Sequence, residues 1–443
     1  MRPSGRQLLG QIFIVLRGTI LAQLIGVVVL PILSRLFAPE AFGHLQVYQS
    51  LLSVLVIVGA LRLELVLLRT AEGETPRAIQ TAVLASVGLS GLVALLLGGA
   101  MVIGRSFDVL GLPFSPILLV IAMLVAALIQ TITYWLVREQ RFGQIVGLKL
   151  VQAVAYGVVA VAVGLSVPTL DGLIYADISG RIASAALAFL WARKERLTVL
   201  DLTSWREQLA FAWTHRRLPL ASAPGALLNA SGAAITPLMI FSYYGAAESG
   251  QVGLLDRVAS LPIAMILTAV SQVYVAQFAL LLRNRDGGAV RHMNQVTVVV
   301  AVLAVVGALV AGPLLPWFFV TVFGETWRTA GQLGQILAPA YAVQLVAGVL
   351  NQSLLAMGRY RLQLAWDACW PLLIGGAWLI MLRSAPTLAV AVSVHTAIIV
   401  VLGLSFIALA HWSVRRYFDP EPVSGGDDGR PGLGGGPQSG IKI

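Results

Sequence analysis

The chain has 443 residues, of which 58% are hydrophobic and only 11% are charged. A soluble domain carries about 25% charged residues, so this composition excludes a soluble globular protein. The net charge of +10 would suit a nucleic-acid binder, but the basic residues are not interleaved with aromatic ones as in a nucleic-acid groove. The single cysteine, Cys369, excludes an internal disulfide framework and a cysteine-based metal cluster.

About twelve apolar segments follow one another, each long enough to cross a hydrocarbon core of about 30 Å as a helix. None alternates with the period of two that a transmembrane strand shows. We therefore predict an all-α integral membrane protein with about 12 transmembrane helices. The predicted spans are 12–36, 42–68, 79–103, 116–137, 146–167, 172–191, 218–244, 250–280, 294–316, 332–356, 364–382 and 386–411.

The basic residues divide unevenly between the two sides of this predicted protein. With the first connection placed outside, the cytoplasmic side holds 22 of the 30 lysines and arginines, and the odd-numbered connections hold four. Cytoplasmic loops are enriched in Lys and Arg, so the asymmetry supports the segment count and predicts cytoplasmic N- and C-termini. The last four basic residues lie inside the apolar segments: Arg17, Arg62, Arg181 and Arg257.

A long connection near the middle of the chain separates six spans from six. It contains Trp205, Leu209 and Trp213 next to arginines, a pattern typical of an amphipathic helix in the membrane interface. The chain after Arg416 is rich in Gly, Pro and Ser, which predicts a disordered cytoplasmic tail. The predicted parts are an N-terminal six-helix lobe over 1–191, the interfacial linker over 192–217, a C-terminal six-helix lobe over 218–412 and the tail over 413–443.

The first and seventh spans resemble each other. Pro31 precedes Gly43 by 12 residues, and Pro237 precedes Gly250 by 13 residues. Each glycine opens the next predicted helix. Two such spans in corresponding positions indicate a parallel repeat about an axis along the membrane normal, as in some transporter folds.

Charged side chains inside a membrane cost at least about 2.5 kcal/mol each, so each needs a partner, a cavity or a route to the interface. Arg17 and Arg62 lie near the cytoplasmic ends of their spans, where they could snorkel and pair with Glu64 or line the mouth of a cavity. Asp177 and Arg181 stand one helical turn apart, so they could neutralise each other or remain available to an anion and a coupling cation.

Asp256 and Arg257 are adjacent and point about 100° apart on a helix, so they cannot neutralise each other. Arg257 is therefore the least explained charge in the predicted membrane. His395 could carry a proton or pack as a neutral ring. Arginines without a committed acid favour an anionic ligand, and the planar guanidinium suits phosphate. Amides in the spans indicate a hydrated interior: Gln23, Gln130, Asn229, Gln272, Gln344 and Asn351.

Four stretches of the chain resemble the Wzx-type polysaccharide flippases, a family in the superfamily that also holds multidrug and toxin extruders and lipid II flippases. Residues 30–43 resemble the end of that family's first helix, and 61–64 resemble its Arg-x-Glu segment. Residues 219–262, which end in Asp-Arg-Val-Ala-Ser-Leu-Pro, resemble its seventh and eighth helices. Residues 323–331 resemble the loop before its tenth helix.

The resemblance implies two six-helix lobes around a central cavity. It further implies a flippase that moves a polyprenyl-pyrophosphate-linked oligosaccharide from the inner to the outer leaflet of a bacterial cytoplasmic membrane by alternating access. Such a protein would serve exopolysaccharide or O-antigen synthesis, beside glycosyltransferases and a polymerase. The resemblance carries over to Arg62, Glu64 and Arg257, whereas Arg17 and Arg181 follow from this chain's own charges.

We expect the four arginines to engage the pyrophosphate. Glu64, Asp177 and Asp256 are candidates for pairing with them or for coupling to H⁺ or Na⁺. The polar cavity residues expected to meet sugars are Gln23, Asn229, Gln344 and Asn351.

Two alternatives remain open. An exporter of drugs or organic cations from the same superfamily would need a cavity dominated by acids. A membrane polymerase or ligase would need a sizeable outer loop with acids, histidines or arginines, and the longest outer connection, 317–331, offers only Glu325 and Arg328. No metal-ligand spacing, phosphate loop or nucleophile motif stands out, so we expect no metal, no cofactor, no nucleic-acid partner and no enzyme activity.

Overall fold

The structure is a computed structural model that describes residues 5–102, 114–195 and 205–418, and its regular elements within these ranges are all helices. The N-terminal helices are α1 (Gly5–Leu36), α2 (Pro39–Ala60), α3 (Thr75–Val102), α4 (Pro116–Arg138), α5 (Phe142–Ser166) and α6 (Gly172–Lys194). The remaining helices are α7 (Trp205–Thr214), α8 (Arg217–Tyr244), α9 (Ala246–Arg283), α10 (Gly288–Phe323), α11 (Arg328–Leu350), α12 (Gln352–Ala356), α13 (Tyr360–Met381) and α14 (Leu388–Phe418).

Eleven helices in the described ranges are long and apolar enough to cross a membrane, and the apolar part of α1, Ile20–Leu36, is a shorter twelfth. The prediction of an all-α membrane protein with about twelve spans is confirmed. Several helices exceed their predicted bounds: α9 has 38 residues and measures about 57 Å, well over the hydrocarbon thickness. A span predicted from hydropathy ends where the side chains become polar, whereas the helical backbone hydrogen bonds continue beyond that point.

The predicted second span, 42–68, is not one helix. α2 ends at Ala60, Leu61 and Arg62 take left-handed φ angles of 45° and 59°, and a 3₁₀ helix forms over Leu63–Leu68. Left-handed backbone is uncommon for residues other than glycine and persists where the surrounding structure holds it. Here Leu63 and Leu67 are buried, and Arg138 of α4 donates to the Leu67 carbonyl at 2.5 Å. Hydropathy misses this break because the residues on both sides of it are apolar.

Two predicted boundaries also shift. α6 reaches Lys194, and within the predicted linker α7 forms a ten-residue helix whose Trp205, Leu209 and Trp213 are exposed. α14 continues to Phe418, past the predicted lobe boundary at residue 412. Residues 196–204 of the linker and 419–443 of the tail lie outside the described residues.

The helices pack as two lobes, α1–α6 and α8–α14, joined mainly by α2 against α8 and α9. One apolar core crosses both lobes at the end of the molecule that contains Trp327, which we call the Trp327 end. Toward the opposite end, which contains α7, each lobe has a core of its own, around Trp135 in the N-terminal lobe and around Phe278 in the C-terminal lobe. The lobes are therefore closed against each other at the Trp327 end.

Two glycines make this closure possible. Gly43 near the start of α2 lies against the carbonyl of Ala246, and Gly250 near the start of α9 lies against the carbonyl of Pro39. A Cβ atom at either position would overlap backbone atoms of the other lobe. The two glycines that the sequence repeat singled out thus meet each other's helices at the crossing of α2 and α9.

Hydrogen bonds and an aromatic contact complete the closure. The Trp327 indole Nε1 donates to the Ser34 carbonyl at 3.0 Å, and Ser34 Oγ donates to the Phe323 carbonyl at 3.3 Å. The Phe42 and Trp327 rings pack edge to face with centroids 5.0 Å apart. These contacts join α1 and α2 to the connection between α10 and α11, so the cavities between the lobes lie on the α7 side of the contact.

Candidate functional site

A cavity lies between α1, α2, α5, α6 and α9, and we call it the N-lobe cavity. It comprises two spaces of about 490 and 240 Å³ that share five lining residues. The shared residues are Gln23, Gly26, Gln49, Tyr156 and Arg257. The larger space is also lined by Lys149, Gln152 and Asp177, so the cavity has two basic side chains, one acidic side chain and several amides.

Arg257 reaches this cavity from α9. The residue lies seven positions after Gly250, about 10 Å along the helix from the closed end. Its terminal nitrogen Nη2 donates to the Gln49 amide oxygen at 2.9 Å. Its Nε is buried with no hydrogen-bond partner in the described part of the chain, where no carboxylate lies within 4.0 Å of the guanidinium. Because Gln49 is a neutral amide, Arg257 has no direct ion-pair partner among the described residues.

Asp177 lines the same cavity but is already paired. Arg181 Nε donates to Asp177 Oδ2 at 2.6 Å, one turn along α6, and the Tyr48 hydroxyl donates to the same oxygen at 3.0 Å. The sequence left open whether Asp177 and Arg181 neutralise each other, and in the structure they form an ion pair. Arg181 is not among the residues that line the N-lobe cavity.

A second cavity, the C-lobe cavity, lies between α2, α8, α9, α11, α13 and α14. Its two spaces measure about 400 and 200 Å³ and share Gln344 and Trp370. Gln46, Gln49, Asp256 and His395 line the larger space, while the smaller space adds three polar residues. These three are Asn229, Asn351 and Asp367.

The structure places the predicted residues unevenly around these cavities. Arg257, Asp177 and Gln23 line the N-lobe cavity, and Asp256 lines the C-lobe cavity. The predicted amides Asn229, Gln344 and Asn351 gather in the C-lobe cavity. The side chain of Arg17 lies outside the described residues, although its backbone belongs to α1.

Arg62 and Glu64 lie apart from both cavities, after the end of α2. On a continuous helix, side chains two positions apart do not face each other. Here the left-handed turn brings Arg62 Nη1 within 3.8 Å of Glu64 Oε1. Glu64 is fully buried, and Gln130 of α4 donates to the same oxygen at 2.7 Å. The hydrogen bond from Gln130 to Glu64 ties the 3₁₀ helix to α4.

Sequence reasoning missed Lys149 and Trp370. The charge count assigned Lys149 to the cytoplasmic side, although it stands three residues inside the predicted span 146–167. Its position inside a span was the available signal. Trp370 gave none, because a tryptophan in an apolar helix most often faces lipid or core. Among the described residues, no group of three or more His, Cys, Asp or Glu side chains could hold a metal ion.

Comparisons with known proteins show a family match and a shared fold. A family model described as polysaccharide biosynthesis protein matches residues 32–331, which is more than half of the chain. The matched region runs from α1 to the start of α11 and therefore includes Arg257 and both glycines of the interlobe crossing. No curated protein sequence is significantly similar to the chain.

Solved structures share the fold at low sequence identity. An inward-facing multidrug resistance MATE family transporter of the MOP superfamily has a TM-score of 0.70 and 12% identity, covering 91% of this chain and 96% of its own. The lipid II flippase MurJ in an inward closed conformation has a TM-score of 0.69 and 12% identity, with 90% and 88% covered. An outward-facing MATE family transporter of the MOP superfamily has a TM-score of 0.53 and 13% identity, with 91% and 95% covered.

The family match over residues 32–331 and the fold shared with solved transporter structures are consistent with each other. The chain is a multi-pass membrane protein with the fold of MOP superfamily transporters, and it belongs to the polysaccharide biosynthesis protein family.

Proposed function

We propose that the chain is a flippase that carries a polyprenyl-pyrophosphate-linked oligosaccharide across a bacterial cytoplasmic membrane, from the inner to the outer leaflet. The family match supports a role in polysaccharide biosynthesis, and the fold shared with a lipid II flippase supports transport of a lipid-linked glycan. The observation that carries the proposal is Arg257, whose half-buried guanidinium lines a cavity between the lobes.

A pyrophosphate cannot cross hydrocarbon alone, because its desolvation costs far more than any packing gain. Arg257 has a buried N–H with no acceptor in the described part of the chain, and Lys149 lines the same cavity. Phosphate oxygens would accept hydrogen bonds from the guanidinium and compensate its charge. Arg181 is held by Asp177, so in this conformation we assign it to positioning that acid rather than to the ligand.

The closed end and the charge asymmetry support entry of the ligand from the cytoplasmic side. The lobes meet at the Trp327 end, and both cavities lie on the α7 side of this contact. With the termini in the cytoplasm, as the excess of Lys and Arg favours, the cavities face the cytoplasm in this conformation. The headgroup would enter there while the lipid tail stays in the bilayer, and opening of the Trp327 end would release it outside.

A coupling ion would need an acid in reach of the cavities. Asp256 lines the C-lobe cavity, where Tyr341 donates to it at 2.5 Å, and Asp177 lines the N-lobe cavity. We keep these two as candidates for H⁺ or Na⁺ coupling. Glu64 lies buried away from both cavities, which favours a structural role for it.

A second candidate function is export of organic cations. One observation favours it: Asp256 and Asp367 line the C-lobe cavity without Lys or Arg within 4.0 Å in the described part of the chain. Export of cations gives Arg257 and Lys149 no role. The two functions are therefore separated by the consequence of removing Arg257.

Complementation of a strain that lacks the gene tests the proposal. We expect the wild-type chain to restore surface polysaccharide and Arg257→Gln to abolish most of it at equal membrane levels. Arg291→Gln is the matched control, because Arg291 is exposed on α10 and the substitution removes the same charge outside the cavities. Full restoration by Arg257→Gln, together with a new sensitivity to organic cations in the deletion strain, would contradict the proposal in favour of the exporter.

A further inference from the structure

The C-lobe cavity has the features of a small-ligand site that the pyrophosphate does not explain. Its spaces of about 400 and 200 Å³ fall in the size range of ligand pockets, and Trp370 lines both. Gln344 also lines both, and Asn229 and Asn351 line the smaller one. A flat aromatic ring beside several amides suits a ligand that has apolar C–H faces and many hydroxyl groups.

The charges of this cavity are acidic. None of the lining residues is Lys or Arg, whereas Asp256 and Asp367 contribute carboxylates. Asp256 accepts a hydrogen bond from Tyr341 at 2.5 Å, and Asp367 accepts one from the Gln363 amide at 2.9 Å. The same Gln363 nitrogen donates to Asn351 at 3.1 Å, which fixes the acid and the amide beside each other.

His395 adds a polar ring to the lining of the larger space. The residue is 8% exposed, lines the larger space and packs against the Trp378 ring at 5.7 Å. Its ring nitrogens have no hydrogen bond with the described residues. The ring would offer a hydrogen-bond donor and an acceptor to an occupant of the cavity.

α9 separates the two cavities by polarity. Asp256 and Arg257 are consecutive and therefore point about 100° apart, the acid into the C-lobe cavity and the arginine into the N-lobe cavity. Gln49 of α2 lines both cavities and accepts the hydrogen bond of Arg257. A ligand with an anionic end and an uncharged or cationic end would match this arrangement across the α2–α9 crossing.

We propose that the C-lobe cavity is the saccharide subsite and that it admits uncharged or amine-bearing sugars while rejecting uronic acids. This assignment rests on the proposed flippase function. A sugar carboxylate placed there would lose water next to two carboxylates with no basic side chain to pair with, whereas a hydroxyl or ammonium group would be a hydrogen-bond donor to them.

Binding of defined lipids to the full chain in nanodiscs tests the assignment. The probes are polyprenyl pyrophosphate without a sugar and the same lipid linked to an N-acetylhexosamine, a hexosamine with a free amine, or a hexuronic acid. We expect the hexuronic acid lipid to bind about tenfold more weakly than the N-acetylhexosamine lipid, and the free-amine lipid to bind at least as well as the latter.

The variants locate the selectivity. Asp256→Asn/Asp367→Asn should bring the affinities for the acidic and N-acetylated lipids to within about twofold, and each single variant should narrow the difference in part. Trp370→Leu should weaken the N-acetylhexosamine lipid about fivefold relative to the sugar-free lipid. Asp286→Asn, an exposed acid in the turn before α10, is the control and should keep the tenfold selectivity.

Equal wild-type affinity for acidic and N-acetylated lipids would overturn the subsite, as would selectivity that persists in the double variant. If the sugar-free lipid still binds in either case, the subsite fails while the proposed function survives. Failure of the wild-type chain to bind any of the four lipids would instead contradict the proposed function and the subsite with it.

Discussion

At the scale of single residues, Arg257 is the charge that most needs a ligand. The guanidinium has one amide acceptor at 2.9 Å and a buried Nε without a partner in the described part of the chain. Its neighbour Asp256 is directed to another cavity and is bonded to Tyr341. A half-buried cation inside a membrane span without an acid in contact is costly, which favours a role for Arg257 in binding an anion.

Arg257→Gln should weaken binding of polyprenyl pyrophosphate about 30-fold, since a hydrogen bond to a charged group contributes about 2 kcal/mol. Arg257→Lys keeps the charge but loses the planar fork, so its affinity should lie between those of Arg257→Gln and the wild type. Titration of the purified protein with the lipid measures both. Equal affinity of Arg257→Gln and wild type would show that the anion binds elsewhere.

The Asp177–Arg181 pair should behave as a structural unit. Asp177→Asn leaves the mostly buried Arg181 without its acid and should destabilise the protein by about 2 kcal/mol. Asp177→Asn/Arg181→Gln removes both charges and should recover part of that loss. Thermal unfolding in detergent compares them. A double variant that is less stable than Asp177→Asn would mean that Arg181 has another stabilising partner.

The sequence located these residues in membrane spans, but not their partners. The pairing of Asp177 with Arg181 was one open alternative because the spacing of four residues brings them together on a helix. The bonds from Tyr48 to Asp177 and from Gln49 to Arg257 join residues 129 and 208 positions apart, which no local spacing reveals. Lys149 was overlooked because a basic residue near a span's cytoplasmic end was explained by its location.

At the scale of elements, the crossing of α2 and α9 is where the lobes approach most closely. Gly43 and Gly250 face backbone carbonyls of the opposite lobe, and neither carbonyl can move without its helix. Added volume at this crossing is therefore not absorbed by small adjustments of side chains.

Gly43→Ala and Gly250→Ala should each disfavour closure of the Trp327 end. Spin labels placed at the starts of α2 and α9 would report a larger share of long interlobe distances in each variant than in the wild type. Gly88→Ala is the control, because a Cβ at Gly88 would meet no atom within 4 Å. Unchanged distance distributions in both crossing variants would contradict the assignment of this contact to the closed gate.

The repeat of proline and glycine singled out Gly43 and Gly250, and both lie at the crossing of α2 and α9. The end of α2 shows what hydropathy could not predict: the residues around Leu61 and Arg62 are apolar enough to continue a span, yet the backbone turns there. Side-chain contacts with α4, from Arg138 and Gln130, hold that turn. Long-range contacts of this kind leave no periodic trace in the sequence.

At the scale of the whole molecule, the two cavities differ in charge although they share the wall formed by α2 and α9. Lys149 and Arg257 line the N-lobe cavity. Asp256 and Asp367, which have no ion-pair partner among the described residues, line the C-lobe cavity. The sequence predicted the lobes, the spans and a polar interior, and its count of arginines over acids indicated an anionic ligand. It did not separate the charges, since adjacent residues such as Asp256 and Arg257 are divided only by the direction of their side chains.

The most direct test of the flippase proposal is translocation by the purified chain in liposomes. A polyprenyl-pyrophosphate-linked N-acetylhexosamine with a fluorophore on the sugar is placed in both leaflets, and a membrane-impermeant reductant bleaches the outer one. We predict that the wild-type chain exposes nearly all of the fluorophore to the reductant, that Arg291→Gln does the same, and that Arg257→Gln leaves about half protected. Protection of half the fluorophore by wild type, as in protein-free liposomes, would contradict the proposed function.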